Sequence, residues 1–416
     1  MPQFHMGTAK TILSASRNGP AQTKERARAY YAWFLFLEAV SLGVFLALDL
    51  LLFYVFFDLS LVGMYFLIGR WGHGDAPRAA LKFFVYTFAG SLAILLAILG
   101  LALSSGPLTF DMRELIARQP LAGMDVRSAL VLLGFVFGFG IKTPLFPLHT
   151  WLPPAHVNAP GPVSAILAGV LLKMGVYGLI RIPFSMMSAT FARYALPLGI
   201  LAVISILWGS LVALGQRDLK RRIAYTSVNH MGYAVLGVAA AGALVGGSAA
   251  ARQLALTGAV VEMVAHGLIT GALFLITAVF WQRAREYDMD AYGGLAQVAP
   301  RLTAAATVAA FASLGLPGLA GFVAEFQIFA GTFATYPWLA AIGLLGILIT
   351  AALFLQLLQR LFFGEMPARW ADFADLRSRE IVLLSALLLL VVAIGVYPHA
   401  LLAVIDSASA ILVRSH

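Results

Sequence analysis

Not one of the 416 residues is a cysteine. A chain without thiols cannot build an iron–sulfur cluster, a disulfide or a thiolate metal site. Charge is nearly as scarce: 11% of residues are Asp, Glu, Lys or Arg, against roughly 25% in an average soluble domain. With 61% hydrophobic residues, the chain lacks the polar surface to cover itself in water, and lipid must be its solvent. A nucleotide-binding glycine turn is missing too. The run Gly315-Leu-Pro-Gly318 superficially resembles one, but it lies inside an apolar stretch with no strand ahead of it and reads as a helix break. His149 and His156 flank a proline-rich segment; without carboxylates or more histidines at helical spacing they make no metal site, and they are expected to face an aqueous loop.

What is present is a succession of apolar runs near 20 residues, each able to cross a hydrocarbon core of about 30 Å. They are too long and continuous for barrel strands, and backbone in lipid must satisfy its own hydrogen bonds, so they are helices. The expected fold class is all-α, a polytopic membrane protein of about eleven transmembrane helices. The spans fall at 30–48, 50–69, 79–104, 126–148, 161–184, 192–215, 222–242, 253–281, 302–334, 337–362 and 380–406. Asp49 is the single polar residue separating the first two.

The net charge of +9 does not point to nucleic acid, because of where the charge lies. Residues 1–29 form a polar basic tail with Lys10, Arg17, Lys24, Arg26 and Arg28, and lack the apolar core of a signal peptide. Threading the spans from a cytoplasmic tail puts most other basic residues on the same side, including Arg70, Lys82, the cluster Arg217 to Arg222, Arg283 and Arg360. That asymmetry obeys the positive-inside rule and leaves the C-terminus outside.

Two spans are broken. Pro144, Pro147, Pro153 and Pro154 interrupt the fourth, and the Leu314 to Gly321 segment with Pro317 interrupts the ninth. Two five-helix units, 30–184 and 192–362, each with a broken helix near its fourth position, match an inverted-repeat transporter followed by one more helix at 380–406. A unit with an odd number of helices necessarily inserts its second copy upside down.

Ionisable residues inside the spans cost at least about 2.5–3.5 kcal/mol each on insertion scales, so they call for a function. Asp58 sits mid-span; its other reading is a protonated carboxyl joining two helices. Lys142 directly precedes the first break, where unpaired carbonyls accept from an ammonium, or where it merely snorkels. A lysine shifts its pKa readily when buried, which suits proton transfer. Lys173 is central to its span, on a helix thinned by Gly169, Gly175 and Gly178. His230 and His266 can take and release protons near neutral pH, although packing histidines are common in bundles. Glu262 stands four residues before His266 and is expected to hydrogen-bond it. Glu325 follows the second break at a place mirroring Lys142, either as a proton carrier or as a cap on the restarted helix.

Several segments resemble the antiporter-like subunits of respiratory complex I: Phe53 to Asp58, Lys142 to Pro153, Leu167 to Gly175, Asp218 to Gly232 and Leu314 to Phe326. The resemblance runs from about Tyr30 to the C-terminal region and is greatest to the M-type branch, also called chain 4 of NADH-quinone oxidoreductase. L-type and N-type relatives carry a lysine where Glu325 stands. The resemblance implies two inverted five-helix repeats in a bacterial inner membrane and a midplane proton path. It assigns Asp58 as the acidic residue, Lys142 as its partner, Lys173 as the central relay lysine, His230 and His266 as bridges and Glu325 as terminal acid. The chain would then be a subunit of an enzyme, a redox-driven translocase, without performing redox chemistry itself. NADH, FMN, iron–sulfur clusters and quinone would be handled by partner subunits, and L-type and N-type subunits would be its membrane neighbours.

Three departures accompany the resemblance. Asp58 stands where Glu is usual, Glu262 where Gln is usual, and three helices that usually come first have no counterpart behind the polar tail. The competing readings are a cation/proton antiporter or hydrogenase membrane subunit, and a non-conducting scaffold. Conduction predicts a wetted row of charges; a scaffold predicts those charges paired off in dry packing.

Overall fold

The computed structural model of the protein describes residues 20–123, 125–243 and 246–414. Among them every regular element is a helix. The first half contains α1 (Pro20–Leu46), α2 (Leu50–Trp71), α3 (Ala76–Ala102), the short α4 (Met112–Arg118), α5 (Val126–Lys142), α6 (Leu152–Asn158) and α7 (Gly161–Phe184). The second contains α8 (Ser188–Leu214), α9 (Leu219–Ala241), α10 (Ala249–Ala284), α11 (Pro300–Ser313), α12 (Ala320–Thr335), α13 (Pro337–Phe362), α14 (Ser378–Val396) and α15 (His399–Arg414).

Asp49 does separate the first two spans. It is the N-cap of α2, and its carboxylate accepts from the N–H groups of Leu51 and Leu52 at 2.9 Å each, two of the donors a helix start leaves unpaired. The expected tail 1–29 is helical from Pro20 onward, and Arg26 donates to the carbonyl of Arg70 at the end of α2, where a cation complements the helix dipole. Lys10 and Arg17 lie outside the described residues.

Two isolated β-bridges pin the bundle at matching places. Leu50 N–H donates to Phe110 O, and Met112 N–H donates to Leu48 O, both at 2.9 Å. In the second half Leu219 N–H donates to Tyr287 O at 2.8 Å and Met289 N–H to Arg217 O at 3.0 Å. Each bridge is flanked by two aspartates, Asp49 with Asp111 and Asp218 with Asp288, that cap the segments they precede.

Eight helices among the described residues are long and apolar enough to cross a membrane, fewer than the eleven expected. The shortfall has local causes. α5 ends after 17 residues at Lys142, and the ninth expected span is divided into α11 and α12, of 14 and 16 residues. α9 carries Lys220, Arg221, Arg222, Asn229 and His230, which lower its hydropathy. Nearly every one of its side chains is buried, so it tolerates polarity because neighbouring helices, not lipid, surround it. The outer helices present leucines such as Leu35, Leu96, Leu348 and Leu389 outward, each at least 65% exposed.

The last expected span, 380–406, is two helices. α14 stops at Val396 ahead of Pro398, which cannot continue the ladder. α15 then packs against α10, with Thr257 Oγ1 donating to Asp406 Oδ1 at 2.7 Å and Gln253 Nε2 to Asp406 O at 3.2 Å.

The turn between α2 and α3 holds His73, whose ring stacks on Trp281 at a centroid distance of 4.1 Å. Burial first, then the charges of Lys220 and Arg285, hold its pKa down to about 4 from an ordinary 6.5. The unfolded chain takes up this proton first, so the contribution of neutral His73 is complete above pH 6.5 and is lost as pH falls toward 4. The fluorescence of the protein minus that of Trp281→Phe is expected to titrate with a midpoint near pH 4, as the stacked imidazole charges. A midpoint at 6.5 would place this ring in water.

Candidate functional site

The prolines after Lys142 end α5 and free its last carbonyls. Trp151 Nε1 donates to Ile141 O at 2.9 Å, and Phe146 N–H donates to Ser205 Oγ at 2.6 Å, which fixes the break. Lys142 is 2% exposed. Its amine donates to Ser60 Oγ at 3.0 Å and sits 4.9 Å from the centre of the Phe57 ring, a cation–π distance. Asp58 makes no direct ion pair with it. That carboxylate lines a cleft of about 270 Å³ with Tyr54 and Phe84, and its buried Oδ1 has no hydrogen-bond partner.

Lys173 owes its place to an irregularity in α7. Residues Leu167–Leu171 form a π-helical turn, and Leu172 N–H reaches back to Leu167 O at 3.2 Å. This frees the Ala168 carbonyl, which accepts from the Lys173 amine. Such turns recur at functional sites. The same amine lies 2.6 Å from His266 Nδ1. Gly175 lets α7 approach the break, since a Cβ there would strike Thr143 Oγ1 and the Phe139 carbonyl. Thr143, whose Oγ1 is buried and unpartnered, therefore stands between Lys142 and the Lys173 helix.

His230 joins three helices. Its Nδ1 is 3.1 Å from Glu262 Oε1 and 3.9 Å from Glu325 Oε1, and its Nε2 is 3.1 Å from Ser313 Oγ. The His230 and His266 rings are 5.4 Å apart. The expected Glu262 to His266 bond is thus replaced by two others. Glu262 leans toward the start of its helix, as helical side chains do, and meets His230 on α9, while Lys173 takes the His266 nitrogen. Glu325 folds back over the second break. A Cβ at Gly315, where φ is +75°, would fall on its carboxylate, so only glycine fits. Lys142 precedes its break and Glu325 follows its own, so the two are not at identical positions.

Five of the seven residues singled out in the sequence, Lys173, His266, His230, Glu262 and Glu325, form one contact series. Asp58 and Lys142 form a second group, with Thr143 between. The histidines expected in an aqueous loop are instead buried, His149 at 5% exposure and His156 at 0%. The basic cluster expected at the aqueous side is partly internal. Arg222 donates to the carbonyls of Leu214 and Gln216, which caps the end of α8, and to Leu353 O on α13. Lys220, also fully buried, donates to Ala159 O and lies 5.5 Å from the Tyr287 ring centre. Prolines and basic runs mark loops in most sequences, so nothing local revealed these two burials.

A helical bundle that crosses the membrane many times, with two interrupted helices and ionisable side chains in contact at its centre, has the build of an ion-translocating membrane subunit. The chain belongs to the family of NADH:quinone oxidoreductase/Mrp antiporter transmembrane proteins, which matches residues 47–350. It is 40% identical over 387 residues to "NAD(P)H-quinone oxidoreductase chain 4 2" of Thermosynechococcus vestitus, spanning 91% of this chain and 70% of that one. It is 38% identical over 402 residues to NADH-quinone oxidoreductase subunit M of Rhodobacter capsulatus, spanning 94% and 76%. Its structure is similar to a chain of respiratory complex I from Thermus thermophilus with bound NADH, with a TM-score of 0.83 and 35% identity over 93% of this chain and 81% of that one.

Proposed function

We propose that this chain is the M-type proton-translocating membrane subunit of a NADH-quinone oxidoreductase. Quinone reduction in partner subunits drives protons along Lys142, Lys173, His266, His230, Glu262 and Glu325. The observation that carries this reading is the series from the Lys173 amine, 2.6 Å from His266, across 5.4 Å between ring centres to His230, with the Glu262 and Glu325 carboxylates around it. Imidazoles between an amine and two acids can receive a proton on one side and pass it on at the other. The unpartnered buried atoms Asp58 Oδ1, Thr143 Oγ1 and His266 Nε2 support a wetted path over a dry scaffold, because buried polar atoms without protein partners take water.

The coupling lies in the Asp58 and Lys142 group. Opposite charges about 4 Å apart are worth about 4 kcal/mol at an effective dielectric near 20, about three pKa units. Approach of Asp58 holds the proton on Lys142, and withdrawal releases it toward Thr143 and Lys173. The direction follows the family. The two bridged, aspartate-flanked corners support reading 30–184 and 192–362 as inverted repeats. The tail is assigned to the cytoplasm, the α14 end to the outside of a bacterial inner membrane, and the adjacent chains to L-type and N-type subunits. NADH, FMN, iron–sulfur clusters and quinone belong to partner chains.

Purification of the tagged chain from native membranes tests this. It is expected to bring down an NADH-oxidising arm containing flavin and iron–sulfur centres. Recovery with membrane chains alone, together with cation/proton exchange and no NADH oxidation, would make it an antiporter subunit instead.

A further inference from the structure

On the outer side of the second half, α11 and α14 leave a groove of about 510 Å³ between them. Ala305 and Val308 line it from α11, and a stripe running from Ile381 through Leu384 and Leu388 to Val392 lines it from α14. The stripe recurs every three or four residues and so occupies one helix face. From Ile381 to Val392, a rise of 1.5 Å per residue gives about 16 Å, the depth of one leaflet of a hydrocarbon core of about 30 Å.

The two ends of the groove differ in chemistry. At one end the starts of α11 and α14 are tied together by Asp375, whose carboxylate accepts from the backbone N–H groups of Arg301 at 3.0 Å and Leu302 at 2.9 Å. Arg301 is the charged residue lining the groove, and its guanidinium makes no hydrogen bond or ion pair among the described residues. Arg377 is exposed beside it, and its carbonyl accepts from Ile381 N–H at 3.0 Å, which sets it one turn ahead of the apolar stripe. The nearby acids are engaged elsewhere. Asp375 also accepts from Leu376 N–H at 2.8 Å, and Glu380 accepts from the Arg283 guanidinium at 2.6 and 3.2 Å. The far end of the groove, at Val392, is apolar.

The length of α14 fixes the level of this cationic end. Its 19 residues span about 28 Å, close to the thickness of the hydrocarbon core, so its two ends lie at the two boundaries. Aromatic rings mark both levels, as they do in membrane proteins. Tyr397, 66% exposed, follows the last residue of α14, and Trp370 stacks on Tyr292 in the segment before the first. Arg301 and Arg377 therefore stand where lipid phosphates lie, above an apolar channel as deep as one acyl chain.

We propose that the groove between α11 and α14 binds one anionic phospholipid, its phosphate on Arg301 and Arg377 and one acyl chain along the stripe from Ile381 to Val392. A zwitterionic headgroup carries a cation that meets the same two guanidinium groups, so the site selects phosphatidylglycerol over phosphatidylcholine. The small side chain of Ala305 leaves the channel its width. The lipid also wedges two helices that meet the second break. α14 ends against it, since a Cβ at Gly395 would overlap Gly318 O and Leu319 Cα, and α11 ends at Ser313, just ahead of it.

The test reads lipid directly and so does not depend on the proton path. The purified complex, loaded in detergent with phosphatidylglycerol or with phosphatidylcholine, is disassembled by native mass spectrometry, and the lipid leaving with this chain is counted. The wild-type chain is expected to retain one phosphatidylglycerol in preference to phosphatidylcholine. Arg301→Gln keeps the backbone cap on Asp375 and is expected to weaken that retention about fivefold, whereas Arg301→Lys should preserve it. Ala305→Leu fills the channel and should reduce retention of both lipids. Equal retention of the two lipids by the wild-type chain would make the contact ordinary boundary lipid and overturn the proposal. So would wild-type retention in both Arg301→Gln and Ala305→Leu, or a wild-type chain that leaves bare because a partner helix covers the groove. Should Ala305→Leu fail to assemble, Arg301→Gln against Arg301→Lys decides.

Discussion

Lys173→Met is expected to abolish proton translocation in an assembled complex. Methionine fills most of the lysine's stem volume and leaves α7 seated between its neighbours, but it removes the group 2.6 Å from His266 Nδ1 and the cation held by Ala168 O. With that link gone, a proton leaving Lys142 finds no carrier before the His266 ring. Loss of a positioned proton carrier costs about 10²–10⁴-fold, so translocation, followed by quenching of a pH-sensitive dye in proteoliposomes, should fall at least about a hundredfold. Quinone reduction should slow in parallel if the two are coupled. Lys173→Arg separates charge from proton transfer. A guanidinium keeps the positive charge but does not give up its proton, so this variant should be as inactive as methionine. An active arginine variant would reduce Lys173 to a fixed charge, and an active methionine variant would remove it from the path.

The residues that sequence reading found most readily were those whose chemistry contradicts their surroundings. A lysine in the middle of an apolar run, or an aspartate alone between two such runs, has few physical explanations; Lys173 and Asp49 both occupy the places expected. Pairing was less legible. Glu262 and His266 satisfy helical spacing, yet the carboxylate meets His230, because packing of α9 on α10 decides which side chains touch. Chain-local patterns contain no such information.

The missed residues fail in the opposite way. His156 and Lys220 lie in stretches that look solvated, one rich in proline and the other basic, and both are buried through contacts with distant segments, His156 with Phe274 and Lys220 with Ala159. The break between α14 and α15 is a different case. Pro398 was visible, and a proline within an apolar run marks a helix end; hydropathy continuing to Leu402 obscured it. The expected span at 222–242 is present as α9 although its charged and polar residues lower its hydropathy. α9 is polar because it is central, so a measure that rewards lipid exposure scores the innermost helix lowest.

Lys142→Ala is expected to uncouple the far group from the series while sparing assembly. The alanine removes the donor to Ser60 and the cation over Phe57, and leaves Asp58 without the lysine that balances it. Ser60 can turn its hydroxyl to the Phe57 carbonyl it already contacts at 2.6 Å, so the helices should stay packed and a native gel should show intact complex. Translocation should fall at least about tenfold, with quinone reduction depressed because the charge that must move has nowhere to go. Asp58→Glu is the complementary variant. It adds one methylene to an acid that lines an open cleft and makes no ion pair with Lys142, so there is room for it, and activity should be retained. An inactive Asp58→Glu protein with normal assembly would mean that the shorter reach is itself required and that Asp58 acts on Lys142 through a fixed water. Full pumping by Lys142→Ala would leave Asp58 as a structural acid and start the path at Lys173.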